Sequence, residues 1–381
     1  MSVAVKLASR IARSTSRIAI DVRRCGHQLR LSGTLVAVVM SLAVASAGLG
    51  AEPSSGSSLA PEVGEWGYRV GQTGLWLGGF ATLEGTVPQS SPASIGLGDV
   101  GLLVRYELTP SLAFFNETDL DDVVTLVEHS GLERGSRILL LERLYLDWSV
   151  KPEFTVRVGK FLTPFGIWNV IRRAPLTWTV DRPVATQSAF PEHTTGAQLI
   201  YQTTHHGWTL DATAYGQAQD ELVRGAADTS GSAVGGGRMV AGHTLGAAYV
   251  AVGTSVAAFD NRDTERWEDA YGTDIDLSVW GNHLTGEFAY SRIREPNASD
   301  EWSFYLQDVQ PLYRSLYGVG RFEHIEPRRG PVVNGMLIGI AWRPVAHVVF
   351  KADYQFADHE GSPLAPSALE RGFAAGLTLF F

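Results

Sequence analysis

Residues 347 to 358 run His347-Val-Val-Phe350-Lys351-Ala-Asp353-Tyr354-Gln355-Phe356-Ala-Asp358. Val348, Phe350, Ala352, Tyr354 and Phe356 recur at every second position, and His347, Lys351, Asp353 and Gln355 fall between them. Because a period of two sends successive side chains to opposite faces, the stretch predicts a β-strand with one apolar and one polar face. Residues 271–279 repeat the pattern, with Tyr271, Thr273, Ile275, Leu277 and Val279 opposite Gly272, Asp274, Asp276 and Ser278. Residues 208–215 do the same, Trp208, Leu210, Ala212 and Ala214 opposing Thr209, Asp211, Thr213 and Tyr215. From Leu75 onward no apolar pattern keeps a helical period for three turns.

Carried along the chain, this reading predicts sixteen strands, near 74–84, 97–107, 111–119, 138–149, 153–162, 194–204, 208–217, 240–250, 253–261, 271–281, 284–293, 302–309, 313–323, 332–343, 346–357 and 371–381. Their lengths sit around the roughly 9–11 residues that a tilted strand needs to cross a bilayer. The connections alternate. Those at 108–110, 150–152, 205–207, 251–252, 282–283, 310–312 and 344–345 are tight, and those at 85–96, 120–137, 163–193, 218–239, 262–270, 294–301, 324–331 and 358–370 are long. Short turns at one end and long loops at the other describe a transmembrane barrel of the outer-membrane type, and an even strand count returns both termini to the periplasmic side. The expected fold is thus all-β, a 16-stranded antiparallel transmembrane β-barrel over residues 74–381. Trp148, Trp208 and Trp342 lie on apolar phases close to tight turns, as an interfacial girdle requires, whereas Trp280 falls on a polar phase. A soluble sandwich or propeller also alternates, but has no need of the short-turn, long-loop asymmetry.

Of the 31 Lys and Arg and 40 Asp and Glu, the first fifty residues hold seven bases (Lys6, Arg10, Arg13, Arg17, Arg23, Arg24 and Arg30) and one acid (Asp21), so the remainder carries a net charge of −15. The apolar run from Leu35 to Ala47, between Arg30 and a set of small residues, has the order of a secretory signal peptide, with cleavage expected near 47 or 51. The single Cys, Cys25, lies in that segment, so the exported chain has no thiol, in keeping with an oxidising compartment. Residues 52–73, rich in Ser, Gly and Pro, are expected to form a flexible periplasmic lead-in. No other stretch approaches 18 consecutive apolar residues, which excludes a helical membrane protein, and the acidic balance makes nucleic acid a poor partner.

The chain closes on Phe373, Ala375, Leu377, Leu379 and Phe381 along one face of a last strand. That pattern resembles the C-terminal signal by which outer-membrane proteins reach their assembly machinery. The stretch Val158-Gly-Lys160-Phe-Leu-Thr-Pro-Phe-Gly166 resembles that with which porins of the phosphate-selective group and their relatives open a long loop. The resemblance implies a channel without catalytic residues, metal or cofactor. In that group anion selectivity comes from Lys clusters and an Arg ladder, whereas the exported chain has only Lys151, Lys160 and Lys351, so phosphate preference does not carry over.

The loop that follows the motif, 163–193, is the longest and the third on the external side. It holds Phe165, Ile167, Trp168, Val170, Ile171, Leu176, Trp178 and Val180, too many apolar groups for a loop in water. It is expected to fold inward and narrow the lumen, bringing Arg172, Arg173 and Arg182 to the constriction. The bland reading of the same segment is a solvated lid with a basic pair. By strand phase Arg105, Arg143 and Arg157 point inward with Lys160 beside them, and Asp274, Asp276 and Glu287 point inward from the opposite wall. A basic wall facing an acidic wall would orient dipolar solutes. Inward acids (Asp99, Glu107, Glu117, Asp119, Asp147, Asp211 and Asp353 in addition) outnumber inward bases, so ion preference leans to cations.

Sixteen strands leave a water-filled lumen, and the expected activity is passive diffusion of small hydrophilic solutes or ions. The expected partners are outer-membrane lipid, the barrel assembly machinery through Phe381, and a possible second and third copy in a homotrimer. Two other readings stay open: a barrel-embedded enzyme of phospholipase or protease type, and a non-conducting structural or adhesive barrel. Cell fractionation checks the frame. The exported chain should appear with the outer membrane and shift its gel mobility on heating in detergent, and recovery in the soluble periplasm would overturn the barrel.

Overall fold

In a closed ring of strands one phase of side chains points to the inside and the other to the surroundings, and here it is the polar phase that is enclosed. Lys351, Asp353 and Gln355 are 5%, 3% and 5% exposed, while Phe356 on the alternate phase is 40% exposed. Leu199, Val158, Met239 and Val252 are likewise exposed on the outer surface. A soluble sandwich buries such residues; a barrel in hydrocarbon presents them.

The structure, a computed structural model, describes residues 63–64, 67–121, 123–133, 139–171, 173–186, 189–220, 231–262, 264–357 and 371–381. Among them, sixteen strands build the barrel in chain order: β1 (Leu75–Pro88), β2 (Ser94–Thr109), β3 (Leu112–Leu120), β4 (Leu140–Lys151), β5 (Phe154–Leu162), β6 (His193–His205), β7 (Trp208–Gln217), β8 (Gly231–Leu245), β9 (Ala248–Asn261), β10 (Arg266–Val279), β11 (Asn282–Ile293), β12 (Glu301–Tyr313), β13 (Leu316–Glu326), β14 (Val333–Val345), β15 (Val348–Ala357) and β16 (Gly372–Phe380). Each pairs antiparallel with the one before it, and β16 pairs back onto β1 from Gly372 opposite Pro88 to Phe380 opposite Phe80. Each of the sixteen strands is therefore paired along both edges, as lipid demands. At the seam Gly79 and Phe381 exchange two backbone hydrogen bonds of 3.0 Å. Beyond the reach of β16, Gly67–Arg69 pairs with Leu77 and Trp76 at the end of β1, so this part of the segment expected to be a flexible lead-in is sheet.

The strands expected from periodicity are all present, and the turns between them differ. The β8–β9 turn is Gly246-Ala247 rather than 251–252, the β10–β11 turn Trp280-Gly281 rather than 282–283, and the β12–β13 turn Arg314-Ser315 rather than 310–312. Period-two patterning runs straight through a two-residue turn when both strands alternate in register, and only the backbone marks the reversal. His206 and Gly207 have φ of 50° and 79°, and Trp280 and Gly281 have 51° and 87°, the double left-handed pair of a tight hairpin. Trp280, 82% exposed, is off phase because it sits in the turn and not in a strand. Trp148 and Trp208 stand exposed near the same end, as a girdle places them. The external connection expected at 85–96 shrinks to 89–93 because β1 and β2 run beyond their expected ends, and within that expected at 120–137 the short strand Val124–Val127 folds back to pair with β2.

The outward phase yields a stability test. Leu199 lies in the middle of β6 on the lipid side, so Leu199→Arg should cost about 2–4 kcal/mol when unfolding is followed by urea titration in lipid vesicles.

Candidate functional site: a loop drawn into the lumen

The turn inward begins in the glycine-marked stretch at the end of β5. Gly159 has φ of 136°, and a Cβ there would lie 2.2 Å from the Leu144 carbonyl oxygen. Gly166 has φ of 63°, and a Cβ there would lie 1.8 Å from Oε2 of Glu287 on β11. Both positions favour glycine through their positive φ, and at the second the loop backbone also passes against the Glu287 carboxylate of the opposite wall. Between them Phe165 stacks on Phe190, the ring centroids 4.2 Å apart, and lies over Gly272 of β10. With Phe161, Tyr215, Val234 and Phe259 the two rings belong to one buried apolar cluster, which continues to Phe80, Phe115 and Tyr145 of β1, β3 and β4.

From there the third external loop is held by its backbone. Asn169, in the short helix α1 (Trp168–Ile171), donates to the carbonyls of Thr163 (2.7 Å) and Glu192 (3.0 Å), tying the two ends of the loop together. The Gly166 amide donates to Ser255 of β9 at 3.2 Å and the Trp168 amide to Glu287 at 2.8 Å, Glu287 also accepting from the Tyr305 hydroxyl at 2.7 Å. Further along, the Val180 amide donates to Asp353 (2.9 Å) and the Val184 amide to Glu323 (2.7 Å). Three cations of the same wall, Arg321, Arg343 and Lys351, donate to loop carbonyls. The expectation of an inward fold thus has its geometry: loop groups meet inward side chains of β9, β11, β13, β14 and β15.

Beside the loop lies a space of about 350 Å³ against β1–β4. Phe80, Glu84, Asp99, Asp119 and Glu142 line it from the wall, and Trp168, Arg173, Val180, Asp181 and Arg182 from the loop. Glu117 of β3 binds Arg143 and Arg173 at once, the latter at 2.9 Å, and Arg182 pairs with Glu192. Burial and the adjacent Arg143 cation both push the Arg173 guanidinium down from its ordinary value, and burial pushes the Asp181 carboxyl up.

The residues singled out from sequence divide into three sets, with Lys160 and Arg172 apart from them. Arg143, Arg173 and Arg182 come together at this space. Arg105 and Arg157 point inward near the periplasmic end, but Arg105 lies 3.7 Å from Glu107 and Arg157 binds Asp147 at 2.7 Å while stacking on Tyr145, so each base is matched by an acid of its own wall. Opposite, Glu287 is covered by the loop, Asp274 is buried on Arg238 at 2.8 Å, and Asp276 binds His283 at 2.9 Å. A basic wall facing an acidic wall is therefore not formed: neighbouring strands neutralise one another first. Lys160 stands opposite Leu144 and Thr195 and is 2% exposed, so it gives no charge to water. Arg172 lies outside the described residues. The wall residues that hold the loop were not singled out as a set. Their signal was available in the i, i+2 pairs Arg321/Glu323 and Lys351/Asp353 on the inward phase, each a cation and an acid two residues apart.

No protein-family model matches the chain. An uncharacterized protein of Aquifex aeolicus is 34% identical over 128 residues, a match covering 32% of this chain and 28% of that one. Among solved structures, OmpF of Salmonella typhi in complex with daunomycin covers 81% of this chain and 97% of its own, with 11% identity and a TM-score of 0.55. The anion-selective porin of Comamonas acidovorans follows with 81% and 98% coverage, 14% identity and a TM-score of 0.53. OmpT of Vibrio cholerae in its trimer form gives 81% and 99%, 12% and 0.50. The fold is that of the outer-membrane porins. In this porin-like barrel the Gly166 backbone passes close against Glu287 of the wall. Gly166→Ala should cost about 1–2 kcal/mol through its left-handed backbone alone, and more through the collision with Glu287. Urea unfolding compared with Gly71→Ala, a left-handed glycine in open space, separates the two contributions.

Proposed function

We propose that the protein is an outer-membrane porin through which small hydrophilic solutes and ions diffuse passively. The observation that carries the reading is the third external loop: it lies inside the lumen, bonded by its backbone to the far wall, and leaves a narrow water-accessible space beside β1–β4. A structural barrel has no need to shape its interior in this way, and a pore selects by bore and lining charge. Location in the outer membrane of a Gram-negative cell, export through the signal peptide, delivery by Phe381 and assembly as a homotrimer belong to the same proposal.

The lining argues against phosphate as the favoured solute. Arg143 and Arg173 share Glu117, Arg182 holds Glu192, and Lys351 is spent on loop carbonyls. Among the described residues the space is lined by more acids than bases, with Glu84, Asp99, Asp119, Asp121 and Glu142 on the wall, which favours cations.

Recording in planar bilayers tests the reading against both other candidates, an embedded enzyme and a non-conducting barrel. The wild-type chain should give stable single-channel steps, and deletion of Ile167 to Gln187 should raise conductance and relax size exclusion. A silent wild-type protein would end the porin reading; an unchanged conductance in the deletion would make the loop a lid. Under a salt gradient the reversal potential should favour cations, and Arg143→Gln with Arg157→Gln should move it further that way at low salt and less at high salt, because salt screens the field.

A further inference from the structure

The loop segment from Ala174 to Val184 is fastened by charged side chains that reach its main chain from a single wall. Lys351 of β15 is almost fully buried. An ammonium has three donors and no acceptor, and here all three are used on one short turn: Nζ donates to the Ala174 carbonyl at 2.7 Å, to the Thr177 hydroxyl, and to the Thr179 carbonyl at 3.1 Å. On β14, Arg343 donates to the carbonyls of Pro175 (2.9 Å) and Thr177 (3.0 Å), its guanidinium 4.5 Å from the centre of the Trp178 ring. On β13, Arg321 donates to the Thr179 hydroxyl (2.8 Å) and the Asp181 carbonyl (2.9 Å).

We propose that Lys351, seconded by Arg343 and Arg321, is the positioning residue that sets the bore, by holding the 174–181 turn of the loop at a fixed distance from the β1–β4 wall. The proposal rests on the porin reading and goes further, assigning the width of the opening to one buried ammonium rather than to the loop's own packing. Three features single out Lys351. It sits beneath the centre of the turn, its partners lie at both ends and in the middle of six consecutive residues, and removing it leaves the Ala174 and Thr179 carbonyls with only the longer contacts of the Thr177 hydroxyl, at 3.1 and 3.3 Å. Weakening the satisfaction of buried acceptors costs free energy that exposure to water recovers, and here the water lies across the opening.

The test uses the full chain in planar bilayers and in lipid vesicles. Lys351→Met keeps the length of the side chain and removes the charge. Its mean conductance should rise about two-fold as the bore widens, with open-state flicker absent from the wild type, and amide hydrogen exchange should quicken in residues 174–184 while the barrel strands keep their protection. Thr177→Val should act in the same direction and more weakly, and the double variant should show little beyond Lys351→Met alone, as expected of partners in one contact. A heat-modifiable Lys351→Met barrel with wild-type conductance, noise and loop exchange would overturn the proposal. If Lys351→Met does not fold, Thr177→Val and Arg343→Gln decide in the same way, unchanged loop exchange in both overturning it. A wild-type barrel that passes no current removes the porin reading alone, since loop exchange still reports on Lys351.

Discussion

Every feature of this protein answers to one constraint: a backbone amide or carbonyl taken out of water must be given a partner by the chain itself. In the wall the requirement is met by pairing sixteen strands in order and returning the last to the first. The seam shows how complete the solution is. Where β16 runs out, Phe381 exchanges hydrogen bonds with Gly79, and past that point Gly67–Arg69 supplies the missing neighbour for β1. The inverted distribution of side chains follows, with apolar residues outside in lipid and charged residues inside.

The same constraint operates a second time within the lumen, with different means. An irregular loop cannot offer a ladder, so its amides go to carboxylates (Glu287, Asp353, Glu323) and its carbonyls to cations (Lys351, Arg343, Arg321), drawn from the far wall. Acids facing amides and bases facing carbonyls leave each buried charge with a complementary dipole, which offsets the cost of withdrawing it from water. The phenylalanines at the loop's root do the remainder by packing into the buried apolar cluster of the wall.

The barrel could be read from the chain because period two is a one-dimensional signal: the face of a residue follows from its parity alone. Parity also placed Arg143 and Glu287 on the inner face, and the apolar content of 163–193 was enough to send that loop inward. The reversals were harder. Gly246-Ala247 interrupts nothing in the alternation, and at Trp280-Gly281 only the phase of one tryptophan marks the reversal, so the turn was set a few residues late in each hairpin. The electrostatics of the interior were harder again, since they depend on register between strands. Arg143 meets Glu117 because their strands align there, Arg157 meets Asp147 for the same reason, and no property of either residue by itself announces the pairing.

An anchor that grips main-chain atoms is indifferent to most of the side chains it carries. Asp353 and Glu323 bind the amides of Val180 and Val184, and Arg343 and Lys351 bind carbonyls of Pro175, Thr177, Ala174 and Thr179, so exchanging Val180, Asp181 or Arg182 for other residues leaves those bonds in place. These are the positions that look across the opening. Mechanical support and the chemistry of the lining are thereby written in separate residues, and descendants of this barrel, natural or engineered, can change what the inner space presents without first having to rebuild the frame that holds the loop in place.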